Sequence, residues 1–342
     1  MATENAASKN FTANGDWQAE MLLTTVLADI GRLLAGTGLC VCLGGSYGRG
    51  DGGVRSDREN GILYNDLDFF VFARRRDAEA AGMLEEIAEI YEERLKVDVD
   101  FSSVMSINDI KRNAPRLMLQ ELKRGYHLVC GEDLLGQYLP EIPAEKLPFD
   151  EACRLLLNRG MGLLLAGEKI FGSADDMDFI LRNINKAILG AADAYLIARH
   201  GYCWKLADRL AAISNSDLPD CCKKFYAQAV EFKKSPSRTL PQDLPALWFA
   251  VRDMFLDCAK DICGASCKTT YQQCRKQGML SLKNLVKYCV KSRTLPLADW
   301  KYHTMPATAL LANSVCQKLV DMPEGSRVIT DSKLYRQWLI FN

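Results

Sequence analysis

The chain has 342 residues, 48% hydrophobic and 25% charged, with 43 basic side chains against 43 acidic ones. That composition supports a folded chain of roughly two domains; it excludes a collagen-like polymer, a disulfide mini-protein and a wholly disordered chain, and its zero net charge argues against a generally basic nucleic-acid binder. The balance hides a division: residues 1–150 carry 16 basic and 25 acidic side chains, and residues 151–342 carry 27 and 18, so the halves are net −9 and +9.

Residues 1–15 are rich in Ala, Asn, Ser and Thr and read as a frayed tail. From Asp16, a helix N-cap candidate, Met21, Leu22, Val26, Leu27, Ile30, Leu33 and Leu34 recur at helical spacing until Gly36 and Gly38. Leu39 to Leu43 is a short strand that runs into the Gly-rich stretch 44–53. A second strand is predicted over Leu67 to Ala73, an amphipathic helix over Asp77 to Leu95, and an alternating strand over Lys96 to Phe101. A helix over Asn108 to Arg124, despite Pro115, and a strand over Tyr126 to Val129 complete the front half. Three prolines, Pro140, Pro143 and Pro148, mark 139–149 as a linker. Beyond it only helical periodicity remains, over 150–170, 176–200, 203–213, 219–234, 244–263, 282–291, 306–320 and 331–340. The expected fold class is therefore an α/β (α+β) domain with a short mixed sheet at 16–138, followed by an all-α domain at 150–342.

Chemistry concentrates in three features of the front half. Gly45-Ser46-Tyr47-Gly48-Arg49-Gly50 follows a strand, and glycines with a hydroxyl and consecutive N–H groups suit close approach to a phosphate. Asp66 and Asp68 open the second strand on one face, while Leu67, Phe69 and Val71 turn to the other. Asp98 and Asp100 repeat the pattern between Val97, Val99 and Phe101. Carboxylates crowded at the start of apolar strands repel unless a cation lies between them, and Mg²⁺ or Mn²⁺ suits such oxygen donors. Each feature alone is an ordinary turn or an exposed strand edge; one site accounts for all three.

In this order the motifs resemble the polymerase β-type nucleotidyltransferase superfamily, over about residues 17–135. The resemblance implies a nucleotidyltransferase domain that uses two Mg²⁺ (or Mn²⁺) ions and an NTP such as ATP. It implies that Gly45 and Ser46, with Gly50 closing the motif, contact the nucleotide phosphates, that Asp66 and Asp68 bind metal, and that a later Asp completes the metal set and helps deprotonate the acceptor. Asp98 and Asp100 both face the right way; Asp100, between Val99 and Phe101, is preferred by a small margin. About twenty residues separate Ser46 from Asp66, a longer insertion than compact members carry, and Arg49 is a candidate phosphate contact that reads equally as a solvated loop arginine.

The back half suits the helical domain that such enzymes append to close over the nucleotide. Arg154, Arg159, Arg182 and Lys186, with Asn158, Asn183 and Asn185 beside them, are candidate triphosphate contacts, although exposed or acid-paired helix faces explain any one of them as well. Tyr195, Tyr202 and Trp204 are candidates to stack a base or to fill a core, and Lys223-Lys224 and Lys233-Lys234 read as solvated pairs. The 13 cysteines are expected to be reduced thiols. Cys258, Cys263, Cys267 and Cys274 fall close together, but without a C-x-x-C pair or a nearby His they read as buried thiols before a zinc site.

The expected activity is transfer of a nucleoside monophosphate from an NTP to the hydroxyl of a small molecule, a protein or another nucleotide, with a small molecule or a protein favoured over nucleic acid. The competing expectation is a non-catalytic nucleotide-binding or protein-interaction module of the same fold, such as a toxin–antitoxin component. No apolar run approaches the ~18 residues of a membrane span, and the N-terminus has no signal-like apolar run. The expected setting is cytoplasmic, with no membrane partner.

Overall fold

The computed structural model describes residues 10–55, 62–75, 80–172, 176–237, 243–263, 267–295, 300–322, 329–330 and 332–341. The chain divides into two units, Met1–Ile142 with Glu231–Ser237, and Pro143–Val230 with Arg238–Asn342.

The first unit begins with α1 (Trp17–Leu33). The Asp16 side chain accepts from the Gln18 and Ala19 amides, and Ala19, Leu23, Val26 and Ile30 form the buried stripe. There follow β1 (Cys40–Leu43), the one-turn α2 (Gly45–Gly48), β2 (Leu67–Ala73), α3 (Ala80–Leu95), β3 (Val99–Phe101), β4 (Met105–Ser106), α4 (Ile107–Arg112), α5 (Leu117–Arg124), β5 (His127–Cys130) and α6 (Leu134–Tyr138). The sheet is mixed and runs β3-β2-β1-β5, with β4 also paired to β2. β1 is antiparallel to β2 and β5, whereas β2 is parallel to β3 and β4.

Strand alternation gives this sheet two buried faces. Val41, Leu43, Leu67, Phe69, Val71 and Val99 pack with α1 and α3. On the opposite face Cys40, Cys42, Phe70 and Phe72 pack with Ile110, Leu119, Leu122, Leu134 and Leu135 from α4, α5 and α6. Asp66 and Asp68 share the alternation of Phe70 and Phe72, so the carboxylates continue an apolar row toward the start of β2.

Two expectations are corrected. The helix expected over Asn108–Arg124 is two helices. Ser106 and Asp109 form a reciprocal capping box on α4, and Pro115, which has no N–H and disfavours helix at the residue before it, separates α4 from α5. The freed Ala114 carbonyl accepts from Gln120 Nε2 at 2.8 Å. The strand expected from Lys96 starts at Val99, because Lys96 adopts a left-handed φ of 58° at the end of α3. Asp77, the expected start of that helix, lies outside the described residues.

The second unit contains α7 (Phe149–Phe171), α8 (Met177–Ala198), α9 (Leu206–Ser214), α10 (Asp220–Lys234), α11 (Leu244–Ala259), α12 (Cys267–Lys276), α13 (Leu282–Ser292), α14 (Ala307–Asp321) and α15 (Lys333–Phe341), with 3₁₀ turns at Ala144–Lys146 and Trp300–Thr304. The last turn of α10 is counted with the first unit. No strand occurs among the described residues of the second unit. α7 and α8 are its central pair, and Trp248 of α11 lies so close to Gly167 that a Cβ there would meet the indole at 2.8 Å. The Trp248 indole N–H donates to the Leu163 carbonyl at 2.8 Å, so this large buried ring keeps its polar group satisfied. α12 was not expected. No helix of the described residues is long and apolar enough to cross a membrane.

Candidate functional site

At the end of β1 the Gly44 N–H donates to the Asp68 carbonyl at 2.8 Å, which sets the Gly-rich turn against the first residues of β2. Gly45 has φ +60°, and a Cβ on it would fall 2.0 Å from Asp68 Oδ2. Both facts require glycine: the backbone is left-handed, and the space a methyl would fill holds a carboxylate. Ser46 follows in the single turn of α2.

Register then brings the acids together. In the parallel β2–β3 pair Leu67 faces Val99, Asp68 faces Asp100 and Phe69 faces Phe101. The Phe69 and Phe101 rings stack at 4.7 Å on one face. Asp68 and Asp100, one residue along each strand, therefore share the other face at about the 4.8 Å spacing of neighbouring strands. Asp66 lies just before β2 on that face. Asp98 lies outside the paired residues, and its carbonyl accepts from the Leu67 N–H at 2.9 Å. The register thus distinguishes the two later acids, which period-two spacing alone cannot.

Residues that sequence reasoning passed over hold this turn. Tyr47 is fully buried. Its hydroxyl donates to the Gly53 carbonyl at 2.8 Å and accepts from the Tyr64 and Asn65 amides at 3.1 and 3.3 Å. The Asn65 side chain accepts from the Gly53 N–H at 2.8 Å. One phenol therefore ties α2 to the residues immediately before Asp66, and burial pushes its pKa up, so it stays protonated.

Lys233, expected to be solvated, is instead half-buried, and it donates to Asp51 Oδ2 at 2.9 Å. Burial first, and the Arg49 charge second, push the Lys233 ammonium below its ordinary pKa. Arg49 stands 3.5 Å from Asp51 and 3.7 Å from Glu121. The Asp51 N–H donates to the Ser46 carbonyl at 2.9 Å, so these charges brace the turn that carries Ser46. Gly50, with φ +78°, turns the chain between Arg49 and Asp51. The only sequence signal for the brace is a glycine-rich turn that holds an arginine and an aspartate two residues apart.

The basic candidates of the second unit are helix-surface residues of α7 and α8. Arg154 pairs within α7 to Asp150 at 2.9 Å and Glu151 at 3.2 Å. The Arg159 stem fills the space beside Gly190 of α8. Arg182 and Lys186 are half-buried on α8. Among the amides, Asn158 accepts from the Trp338 indole at 3.1 Å, and Asn183 and Asn185 donate to carbonyls one turn back in α8. Tyr195 and Tyr202 are buried, Tyr195 bonded to Asp217 and Tyr202 to Arg209.

The clustered cysteines do not form one group. Cys258 contacts Cys222, Cys263 contacts Cys153 and Cys316, and Cys267 Sγ accepts from Asn313 Nδ2 at 2.9 Å. Burial pushes the Cys274 thiol up to about 12. All thirteen cysteines are free thiols.

No group of three or more His, Cys, Asp or Glu side chains stands in a metal-holding arrangement among the described residues. The carboxylates of Asp68 and Asp100 nevertheless share one face of the parallel β2–β3 pair, and carboxylate oxygens are the donors that hard divalent cations take. No family model matches the chain, and no curated protein matches it.

Proposed function

We propose that the first unit is a Mg²⁺-dependent nucleotidyltransferase that transfers a nucleoside monophosphate from an NTP to an acceptor hydroxyl and releases pyrophosphate. The observation that carries this reading is the direct facing of Asp68 and Asp100 beside Gly45, whose missing Cβ is the space that the Asp68 carboxylate occupies. Asp66 and Asp68, with Asp100 as the third carboxylate, would hold the divalent ions. When bound, such ions neutralise phosphate charge and lower the pKa of a coordinated hydroxyl.

The chain's own groups have separate tasks. Asp100 lies at the sheet edge where an acceptor hydroxyl can approach, and it takes that proton as the oxygen attacks the α-phosphorus. The bond from the α-phosphorus to the bridging oxygen breaks, and pyrophosphate carries the electron pair away. Ser46 and the backbone of the Gly45 turn orient the phosphates, and the Tyr47 and Asp51–Lys233 ties hold the turn still while they do so. Arg49 is the nearest cation of the turn for pyrophosphate charge. The acceptor is a small molecule or a protein hydroxyl, since no basic stripe of the kind a nucleic-acid track needs runs through the described residues of the first unit.

The test is incubation with each α-labelled NTP and Mg²⁺ across small-molecule, protein and RNA acceptors. Label transfer with stoichiometric pyrophosphate release, lost in Asp68→Asn and in Asp100→Asn, is the expected result. Metal-independent NTP binding without pyrophosphate release, unchanged in both variants, would instead identify a binding module.

A further inference from the structure

The basic excess of the chain is concentrated. Between Asp261 and Asp299 lie 37 residues with seven basic side chains and no acidic one. It includes α12 and α13, Leu282–Ser292. One side of α13 is fastened to the second unit: Asn284 donates to the Met279 and Thr304 carbonyls at 2.8 and 3.2 Å, and Tyr288 packs on His303 and stacks on Phe341. A second side carries Leu282, Val286 and Val290, which are 68%, 60% and 71% exposed. Next to that row, at the same four-residue step, run Lys283, Lys287 and Lys291.

An aliphatic row at i, i+4, i+8 bordered on one flank by lysines is half of a helix pair: the apolar rows interlock and the charged row selects the partner. We propose that α13 is a docking ridge for an acidic amphipathic helix of a partner protein, with leucine-like side chains against Leu282, Val286 and Val290 and carboxylates against the lysine row. Charge complementarity decides the occupant. A second α13 from another copy would set lysine rows side by side, which costs binding. Nucleic acid leaves the aliphatic row without a use, because no exposed aromatic interleaves it for base stacking. A lipid surface suits a helix with lysines along both flanks and large aromatic or leucine side chains between them; here one flank is lysine and the other descends into the protein.

The experiment uses the full chain and two synthetic helical peptides of equal negative charge. One carries leucines at i, i+3/i+4 with glutamates on the flank, and the other has serine at every leucine. Fluorescence anisotropy should show binding of the first, at least about tenfold weaker binding of the second, and weakening at 0.5 M salt. Val286→Glu and Lys283→Glu/Lys287→Glu should each weaken the first peptide by about tenfold or more while circular dichroism and the thermal midpoint stay near wild type. Equal binding of both peptides, or variants that bind as wild type, overturns the proposal. So does tighter, Val286-dependent binding to vesicles containing 30% anionic lipid, or Val286-dependent self-association in sedimentation.

Discussion

Two groups of potential metal ligands stand out along the chain, and folding treats them oppositely. The carboxylates at 66–68 and 98–100 are more than thirty residues apart, yet β2 and β3 set Asp68 against Asp100. The thiols at 258–274 are neighbours in sequence, yet they take different partners: Cys258 meets Cys222, Cys263 meets Cys153 and Cys316, and Cys267 meets Asn313. The difference is one of period. A strand returns every second residue to one face, and a parallel partner in register doubles the row. The thiols lie on and between two helices and meet partners on other elements rather than one another, so closeness along the chain does not become a shared site.

The comparison breaks first at Asp68 and Asp100. Replacing either by Asn keeps its shape and removes its charge, and transfer should fall about 10³-fold with the fold intact by circular dichroism. If both variants retain transfer within a few-fold of wild type, the facing pair is only a pair of edge acids.

Gly45→Ala tests the same pair from the other side. The new methyl meets Asp68 Oδ2 on a backbone at φ +60°, so either the turn or the carboxylate must move. Transfer is expected to fall about 10²-fold and stability by about 1–3 kcal/mol, read by steady-state rates and urea unfolding. A left-handed Gly36, which has open space around its Cβ position, is the matched control: Gly36→Ala should lose stability and leave transfer unchanged.

The tie at Tyr47 sharpens how far the site depends on one residue. Tyr47→Phe removes a hydroxyl that serves Gly53, Tyr64 and Asn65, and should cost about 1–3 kcal/mol at pH 7 by leaving buried groups unpaired. The sign with pH follows from the raised phenol pKa. The native state keeps this proton while the unfolded chain releases it near pH 10, so the phenol's contribution is complete below pH 10 and is lost as pH rises above it. Tyr195, pushed up to about 12 by burial and its bond to Asp217, adds to the same alkaline loss. Wild type should therefore lose stability above pH 10 more steeply than Tyr47→Phe, in unfolding curves taken at pH 9, 10 and 11.

Much of this was readable before the fold. Asp16 caps α1 where a short acidic side chain precedes an apolar helical pattern, and β2 spans Leu67 to Ala73 around Phe69, Phe70, Val71 and Phe72, four consecutive residues that favour a strand. Other features depend on contacts that no local pattern carries. Lys233 reaches Asp51 across 182 residues, and a lysine pair at a helix end looks solvated until its neighbour is known. α12 buries only Thr270 and Cys274, too few apolar positions to declare a helical face. Pro115 did signal the break between α4 and α5, but the apolar residues on both sides continue a helical spacing across it.

The smallest expected effect separates two carboxylates that share a period but not a partner. Asp98 precedes β3 and joins the sheet through its carbonyl, which a change of side chain leaves in place. Asp98→Asn should therefore alter transfer by less than about threefold and leave the pH dependence of the rate unmoved, because no reacting proton passes through it. Asp100→Asn should remove the acidic limb of that profile together with the rate. An Asp98→Asn variant as damaged as Asp100→Asn would mean that the working acid is chosen by the loop before β3, and the register of β2 and β3 would lose its place as the feature that assembles the site.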